Sequence, residues 1–157
     1  MLVRIATPAD VPLLAELYAD SVHKVGLQHY RPLQVAAWAA FARDMPAFRQ
    51  FILQPVTYII EDESGIVGFA GIAEDGHIAS LYVRSDRGRQ GIGSLLLEAL
   101  LDHAHRHQIK RLYAEANEFS RSLFARFKFR QYDTEVVQRG EAQFTRYLME
   151  RVDGAEA

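Results

Sequence analysis

The chain has 157 residues, with 18 lysine and arginine side chains against 20 aspartate and glutamate side chains, and it has no cysteine. This length is typical of one domain with one hydrophobic core. A formal charge of −2 argues against a nucleic-acid or anionic-membrane surface. The missing cysteine excludes disulfides, thiolate metal ligands and a cysteine nucleophile.

The amino terminus lacks the charged-then-apolar pattern of a signal peptide, and no apolar run approaches the length of a membrane span. We therefore expect a soluble, unprocessed, cytoplasmic protein without nucleic-acid or membrane partners. We expect a single domain over residues 1–157, with its core at residues 2–151 and a short tail at 153–157.

The first third of the chain predicts one strand followed by helices. Leu2–Ile5 is rich in β-forming residues, and Thr7-Pro8-Ala9-Asp10 is a strong helix start because Thr7 and Asp10 can form a capping box. The helix that follows places its apolar residues on one face: Val11, Leu14, Ala15, Tyr18 and Val22. Two further helices are predicted from Pro32 to about Arg43 and from Pro46 to Leu53, with a polar and aromatic loop between the first two.

From residue 56 the hydrophobic period changes from 3.6 to 2, which is typical of strands. The predicted order is strands at 56–62, 66–73 and 77–83, a helix to about Gln108, a strand at 110–116, a helix at 119–127, and strands at 129–138 and 142–150. The unit at 77–116 is strand, loop, helix, strand, so its two strands should be parallel with a right-handed crossover. Hairpins on either side predict a mixed sheet, in an α/β or α+β domain.

Between the strand at 77–83 and its following helix lies the sequence Gly88-Arg-Gln-Gly-Ile-Gly-Ser94. A P-loop needs a Gly-Lys pair, which the chain lacks, and the dinucleotide fingerprint needs a third glycine where Leu96 stands. Two interpretations remain open on spacing alone. Either the backbone amides at Gly91 and Gly93 face a pyrophosphate at the start of a helix, or the segment is a tight turn without a ligand.

The segment LYVRSDRGRQGIGSLLLEAL resembles the acetyl-coenzyme-A motif of the Gcn5-related N-acetyltransferases (GNAT), in which Gln/Arg-x-x-Gly-x-Gly/Ala follows the fourth strand. VRIATPADVPLLAELY is similar to the first strand and helix of that family, and ANEFSRSLFARFKFRQYDTE to its later strand, helix and strand. RYLMER resembles the last strand of a bacterial branch. The resemblance covers residues 2–151 and implies a central mixed, mostly antiparallel twisted sheet flanked by helices.

The resemblance also implies direct transfer of an acetyl group from acetyl-CoA to an amine of a small molecule or peptide. It assigns coenzyme binding to residues of the fourth strand, the loop and the later helix: Leu81, Tyr82, Val83, Arg87, Gly88, Arg89, Gln90, Gly91, Ile92, Gly93, Ser94, Asn117 and Phe124. Oxyanion stabilisation would come from a backbone amide near Tyr82 or Val83.

Two positions depart from the family pattern. Gly88 stands where Gln or Arg is usual, so Arg87 or Arg89 is expected to supply the charge. Phe124 aligns with the frequent tyrosine, the usual general acid, and Lys128-Phe129 replaces the usual Gly-Phe. The missing tyrosine motivates an alternative function, a non-catalytic acyl-CoA-binding module.

An alkyl amine has a pKa near ~10.4, so a base must accept its proton before attack. His77 lies where some family members carry a catalytic glutamate, and Glu74 and Glu115 are the alternatives. For the acid, Tyr147 and Tyr82 are candidates, although each is commonly a packed aromatic residue.

The acceptor site should involve the amino-terminal helices and the meander turn. The candidate acceptor residues are His23, Tyr30, Trp38 and Glu74. The histidines at 103, 105 and 107 are spaced by two on a helix, so they do not converge and no metal site is predicted. A homodimer through the strands at 129–150 is a fold-level expectation.

Overall fold

The computed structural model describes residues 1–153; the last four residues of the predicted tail, 154–157, lie outside the described residues. Within residues 1–153 there are seven strands: β1 (Leu2–Ile5), β2 (Val56–Asp62), β3 (Gly65–Ile72), β4 (Ile78–Val83), β5 (Arg111–Ala116), β6 (Arg130–Arg139) and β7 (Ala142–Val152). The same part of the chain contains five α-helices: α1 (Val11–Gly26), α2 (Pro32–Ala39), α3 (Met45–Leu53), α4 (Ile92–Arg106) and α5 (Arg121–Arg126).

The amino-terminal helix begins where its sequence predicts. The Asp10 carboxylate accepts the backbone N–H of Thr7 at 2.8 Å and two guanidinium hydrogen bonds from Arg4, both at 2.8 Å. Pro8–Asp10 is a 3₁₀ turn, and regular α geometry starts at Val11. The predicted apolar face of α1 is buried.

The helix predicted from Pro32 to Arg43 is wrong in one respect, because its last turn is not α-helical. Ala40–Arg43 forms a 3₁₀ turn. Asp44 then caps α3 by accepting the backbone N–H of Ala47 at 3.2 Å. The tighter turn satisfies the end of one helix while the chain reverses into the next.

The strands form two antiparallel sheets, with order β1-β2-β3-β4 and β5-β7-β6. The parallel pairing predicted between β4 and β5 is confined to one bridge, between His77 and Tyr113. At this bridge the backbone N–H of Tyr113 donates to the Gly76 carbonyl at 3.1 Å. A Cβ on Gly76 would lie 1.9 Å from the Arg111 carbonyl oxygen, so only glycine allows the two sheets to meet here.

Beyond the bridge β4 and β5 diverge, and a bulge in β4 accompanies the divergence. Gly71 pairs with Ser80 and Ile72 with Ile78, so Ala79 is the additional residue. A bulge bends its strand and increases the local twist. The two sheets therefore stay in contact at one end and open a cleft at the other.

Two apolar clusters cover the faces of the first sheet. One surrounds α4 and includes Leu96, Leu97 and Leu100, and the other surrounds α1 and includes Leu14 and Phe48. The fold prediction of mostly antiparallel sheets flanked by helices is confirmed. Over residues 1–153, no helix has both the length and the apolar character needed to cross a membrane.

Candidate active site

The cleft between β4 and β5 opens into a cavity of about 600 Å³. Both diverging strands contribute to its wall, together with α2 and the β6–β7 hairpin. Its lining includes Ser80, Leu81, Tyr82, Glu115, Ala116, Asn117 and Phe124 from the central strands and α5, and Tyr30, Trp38, Arg139, Phe144 and Arg146 from the periphery. The cavity therefore contains several of the residues predicted for coenzyme and acceptor.

The glycine-rich loop ends at the amino terminus of α4, on one side of this cleft. Gly91 has φ of +81°, which favours glycine, and the Leu95 N–H donates to the Gly91 carbonyl at 3.0 Å. The amides before Leu95 in α4 have no intrahelical acceptor. Gly93 lies close to the cleft, because a Cβ there would be 3.1 Å from Leu123 Cδ2 and 4.0 Å from Leu81 and Val83.

The two arginines expected to support this loop differ in their partners. Arg87 forms an ion pair with Asp62 at 2.6 Å and donates to the Ser64 hydroxyl at 3.0 Å. Arg89 is exposed beside Gly88, with φ of +62°. The Arg87 guanidinium is thus bound to the β2–β3 hairpin. The exposed Arg89 is therefore the better placed of the two to offer its positive charge to a ligand at the α4 terminus.

Strand β4 forms the edge of its sheet, so half of its backbone groups face β5. The Arg84 N–H donates to the Val67 carbonyl on β3 at 2.8 Å. Because backbone groups alternate along an antiparallel strand, the Tyr82 N–H also faces β3. The amides that face the cleft are therefore those of Leu81 and Val83, which favours Val83 over Tyr82 as the expected oxyanion donor.

The side chain of Tyr82 lies on the α1 side of the sheet. The Trp38 indole N–H donates to its hydroxyl at 3.3 Å, and its ring is 4.8 Å from that of Tyr18. Burial raises the pKa of Tyr82. This environment is that of a packed aromatic residue with a satisfied hydroxyl, so Tyr82 is a weak candidate for the acid.

His77 and Glu115 form a pair at the base of the cleft. His77 Nε2 lies 2.8 Å and 3.0 Å from the two carboxylate oxygens of Glu115. The hydrogen bond to Glu115 raises the pKa of His77, while burial acts in the opposite direction. Glu115 lines the cavity and His77 lies behind it. The sequence analysis named His77 as the first candidate for the general base and Glu115 as an alternative. In the structure the two side chains are hydrogen-bonded to each other, so they can act together.

A second carboxylate, that of Asp75, holds the backbone of His77 and the hydroxyl of Tyr113, on whose ring the imidazole stacks. The backbone N–H of His77 donates to Asp75 at 3.0 Å, and the His77 ring stacks on Tyr113 with centroids 5.0 Å apart. Tyr113 in turn donates its hydroxyl to Asp75, which raises the pKa of Tyr113 to about 12. The imidazole is therefore fixed by backbone, stacking and carboxylate contacts together.

Tyr147, the first candidate for the acid, pairs with Ala116 at the end of β5. Its hydroxyl donates to Glu118, and the Arg121 guanidinium lies 3.7 Å from its ring centroid. The hydrogen bond to Glu118 raises the pKa of Tyr147, so its hydroxyl is protonated at neutral pH. Tyr147 thus has a neutral hydroxyl that is bonded to Glu118; it pairs with the lining residue Ala116 but is not itself among the residues that line the cavity.

The remaining predicted coenzyme residues of this region have structural partners. Phe124 is buried and packs on Phe129 with centroids 5.0 Å apart. The Asn117 side chain accepts the backbone N–H groups of Phe119 and Ser120 at 2.8 and 2.9 Å, which shapes the turn into α5. Both residues border the cavity while holding the β5–α5 connection.

The four predicted acceptor residues divide into two groups. Tyr30 and Trp38 line the cavity, with their rings 5.6 Å apart. His23 and Glu74 are exposed and are not among the lining residues, because His23 projects from α1 and Glu74 lies in the β3–β4 turn. His23 and Glu74 therefore lie outside the lining of this cavity, and their role in binding the acceptor stays a prediction.

Sequence reasoning missed the contribution of the β6–β7 hairpin, whose Arg139, Phe144 and Arg146 reach the cavity. No local pattern marks these residues, since the hairpin approaches α2 only in the folded chain. Within residues 1–153, no group of three or more potential ligands is placed to hold a metal ion. His103 instead shares a hydrogen bond of 2.9 Å with the Tyr58 hydroxyl.

Comparisons with known proteins agree with this geometry. A GCN5-related N-acetyltransferase from Rhodopseudomonas palustris superimposes with a TM-score of 0.91 at 24% identity, covering 96% of this chain and 94% of that chain. The PaiA N-acetyltransferase of Thermoplasma acidophilum, solved with coenzyme A, superimposes with a TM-score of 0.74 at 17% identity, covering 97% and 99%. YafP of Escherichia coli strain K12, described as an uncharacterized N-acetyltransferase, is 25% identical over 142 residues, which are 90% of this chain and 89% of YafP.

A family model described as an acetyltransferase (GNAT) domain matches residues 26–150. That range contains the glycine-rich loop, both diverging strands and the carboxy-terminal hairpin. The resemblance found in the sequence is thereby confirmed, and the chain belongs to the GNAT family of N-acetyltransferases.

Proposed function

We propose that the cleft transfers the acetyl group of acetyl-CoA directly to an amine of a small molecule or peptide. One observation carries the proposal: Leu81 and Glu115 line the same cavity, Gly93 at the α4 terminus lies next to Leu81, and Glu115 is paired with His77. Family membership and the coenzyme A complex of the Thermoplasma relative support it.

The residues of the cleft fit the coenzyme. The unpaired amides at the start of α4 suit a pyrophosphate, with Gly88, Arg89 and Gln90 exposed beside them. Gly93 leaves room for close approach, since a side chain there would contact Leu123. When bound, acetyl-CoA supplies an activated acyl group as a thioester.

The backbone of β4 would orient the acyl group. The amides of Leu81 and Val83 face the cleft and are held rigidly by the pairing of β4 with β3. A fixed N–H donor stabilises the negative charge that develops on a carbonyl oxygen during acyl transfer. We assign this role to Leu81 or Val83.

The His77–Glu115 pair would accept the proton of the acceptor amine. Glu115 presents its carboxylate to the cavity, where it can receive a hydrogen bond from the ammonium group. When the pair takes up a proton, His77 becomes an imidazolium 2.8 Å from the Glu115 carboxylate. The hydrogen bond to Glu115 favours this protonated state because it raises the pKa of His77. Tyr147 would donate a proton to the departing thiolate, although a thiolate of reference pKa near ~8.5 can leave without one.

Thiol release measured over a panel of amines tests the proposal. Wild-type protein should release coenzyme A with at least one acceptor, and His77→Ala should lose most of kcat/KM at neutral pH while retaining coenzyme binding. His105→Ala is the matched control, because His105 is exposed on α4 away from the cleft. Tight coenzyme binding without turnover on any amine would favour the acyl-CoA-binding module instead.

Two expectations from the sequence, about the location of the protein and its oligomeric state, stay predictions. One is the cytoplasmic location. The other is a homodimer through the strands at 129–150, which has one supporting feature: β6 is an outer strand of its sheet and has a free edge.

A further inference from the structure

We propose that Arg139 binds a carboxylate of the acceptor, so that the substrate is a small amine with an apolar body and one carboxylate. The inference rests on the proposed function because it concerns the same cavity. It adds a binding residue and a substrate class to the acetyl transfer described above.

Arg139 stands at the end of β6, immediately before the turn at Gly140, and its side chain lines the cavity. Within residues 1–153 it has no ion pair and no side-chain hydrogen bond. The other arginine of the cavity wall, Arg146, is already neutralised by an ion pair with Glu135. Arg139 is thus the cation of this wall that is available to a ligand.

The positive charge of Arg139 influences two tyrosine hydroxyls of the same cavity, those of Tyr18 and Tyr82. Burial raises the pKa of both Tyr18 and Tyr82, and the positive charge of Arg139 acts on both hydroxyls in the opposite direction. Tyr18, Tyr82 and Arg139 line the same cavity, so the charge of Arg139 acts within that cavity although the residue itself is exposed.

Between these charged groups the cavity wall is largely aromatic. Tyr30 lies 5.6 Å from Trp38 and 5.7 Å from Phe144 by ring centroids, and Trp38 lies 6.3 Å from Tyr82. Such rings favour an apolar ligand body and offer few partners for further polar groups. An acceptor that fits has its amine at Glu115, its apolar part among the rings and its anionic group at Arg139.

The charge balance favours a carboxylate over a phosphate. A guanidinium binds a carboxylate through two parallel hydrogen bonds. One available arginine balances a single negative charge, whereas a phosphate dianion would need a second cation, and Arg146 is committed to Glu135.

A binding experiment without turnover tests the subsite. NMR titration of the protein loaded with coenzyme A would compare 3-phenylpropanoate with the neutral 3-phenylpropan-1-ol. We expect wild-type protein to prefer the acid by about tenfold, Arg139→Gln to abolish that preference, and Arg139→Lys to retain part of it. Arg49→Gln, which removes an exposed arginine of α3 outside the cavity, should leave the preference unchanged. Equal affinities of acid and alcohol for wild-type protein would overturn the inference, as would a preference that survives in Arg139→Gln.

A kinetic experiment separates this inference from the proposed function. With 3-[4-(aminomethyl)phenyl]propanoate as acceptor, whose amine and carboxylate lie at opposite ends of an apolar body, Arg139→Gln should lower kcat/KM by about tenfold or more. With 4-propylbenzylamine, which lacks the carboxylate, the loss should be less than about twofold. An equal loss on both amines would overturn the assignment of Arg139. If neither amine releases coenzyme A, the proposed acetyl transfer to such amines fails, and the NMR comparison still decides whether Arg139 forms an anion subsite.

Discussion

The two glycines of the cofactor loop should respond differently to substitution. Gly93 has an ordinary helical backbone, but a Cβ there would lie 3.1 Å from Leu123 Cδ2 and near Leu81 and Val83. Gly91 has φ of +81°, and a Cβ there would meet no atom within 4 Å. Gly93→Val therefore adds bulk to the cleft, whereas Gly91→Ala adds strain to the backbone.

The sizes of the two effects follow from these geometries. A residue other than glycine in the left-handed region costs about 1–2 kcal/mol, which lowers the Tm of a chain of this length by roughly 2–8 °C. The isopropyl group added at Gly93 occupies space beside the α4 terminus. A steric cost of about 1–3 kcal/mol on bound acetyl-CoA would weaken its Kd by roughly fivefold to more than a hundredfold.

Calorimetric titration with acetyl-CoA and thermal unfolding of the apo protein measure the two effects separately. We expect Gly93→Val to lose affinity with a Tm near that of wild type, and Gly91→Ala to lose Tm with a smaller change in affinity. Wild-type affinity in a folded Gly93→Val variant would refute the placement of acetyl-CoA beside Leu123. A large fall in its Tm would instead show that the cleft cannot accommodate the side chain even without ligand.

Two further predictions concern charged pairs. Glu115→Gln removes the carboxylate whose hydrogen bond raises the pKa of His77. The midpoint of the NMR titration of the His77 ring should therefore move to lower pH. An unchanged midpoint would show that the two side chains do not interact in solution. Asp10→Asn disrupts the contacts of a buried carboxylate with Arg4, whose hydrogen bonds hold the pKa of Asp10 far below its usual range, and should destabilise the fold by about 1–3 kcal/mol at pH 7. Because a lowered pKa contributes stability that is present above the unfolded value of about 3.9 and lost as the pH falls, this difference in urea unfolding should shrink below about pH 4. A difference that is constant from pH 7 to pH 3 would contradict the ion-pair explanation.

Local patterns determined most of the secondary structure. Runs of β-forming residues bounded by turn residues located the seven strands, although burial alternates clearly in β5 and is continuous through most of β2 and β3. The ends of the helices were less well predicted than their positions in the chain. Ala40–Arg43, for example, forms a 3₁₀ turn and not the predicted α-helix, because the chain reverses there into α3.

The cofactor loop was the most predictable part of the site. Its glycines, the helix that follows and the strand that precedes it are contiguous, so their arrangement is a local property of residues 78–106. The acceptor side was less predictable, because it is assembled from α2, β4, β5 and the β6–β7 hairpin. His23 and Glu74 were assigned to it by their neighbours in the sequence, and the folded chain leaves both outside the cavity.

The sequence by itself therefore determined the order of elements, the family and the end of the cleft that suits coenzyme A. The tertiary structure alone decided that, over residues 1–153, the pairing of β4 with β5 is confined to the bridge between His77 and Tyr113, after which the strands diverge. It also decided that His77 pairs with Glu115 across 38 residues of chain and that Arg139 reaches the cavity. These features depend on contacts between distant segments, whose geometry follows from the packing of the whole core and not from any local spacing.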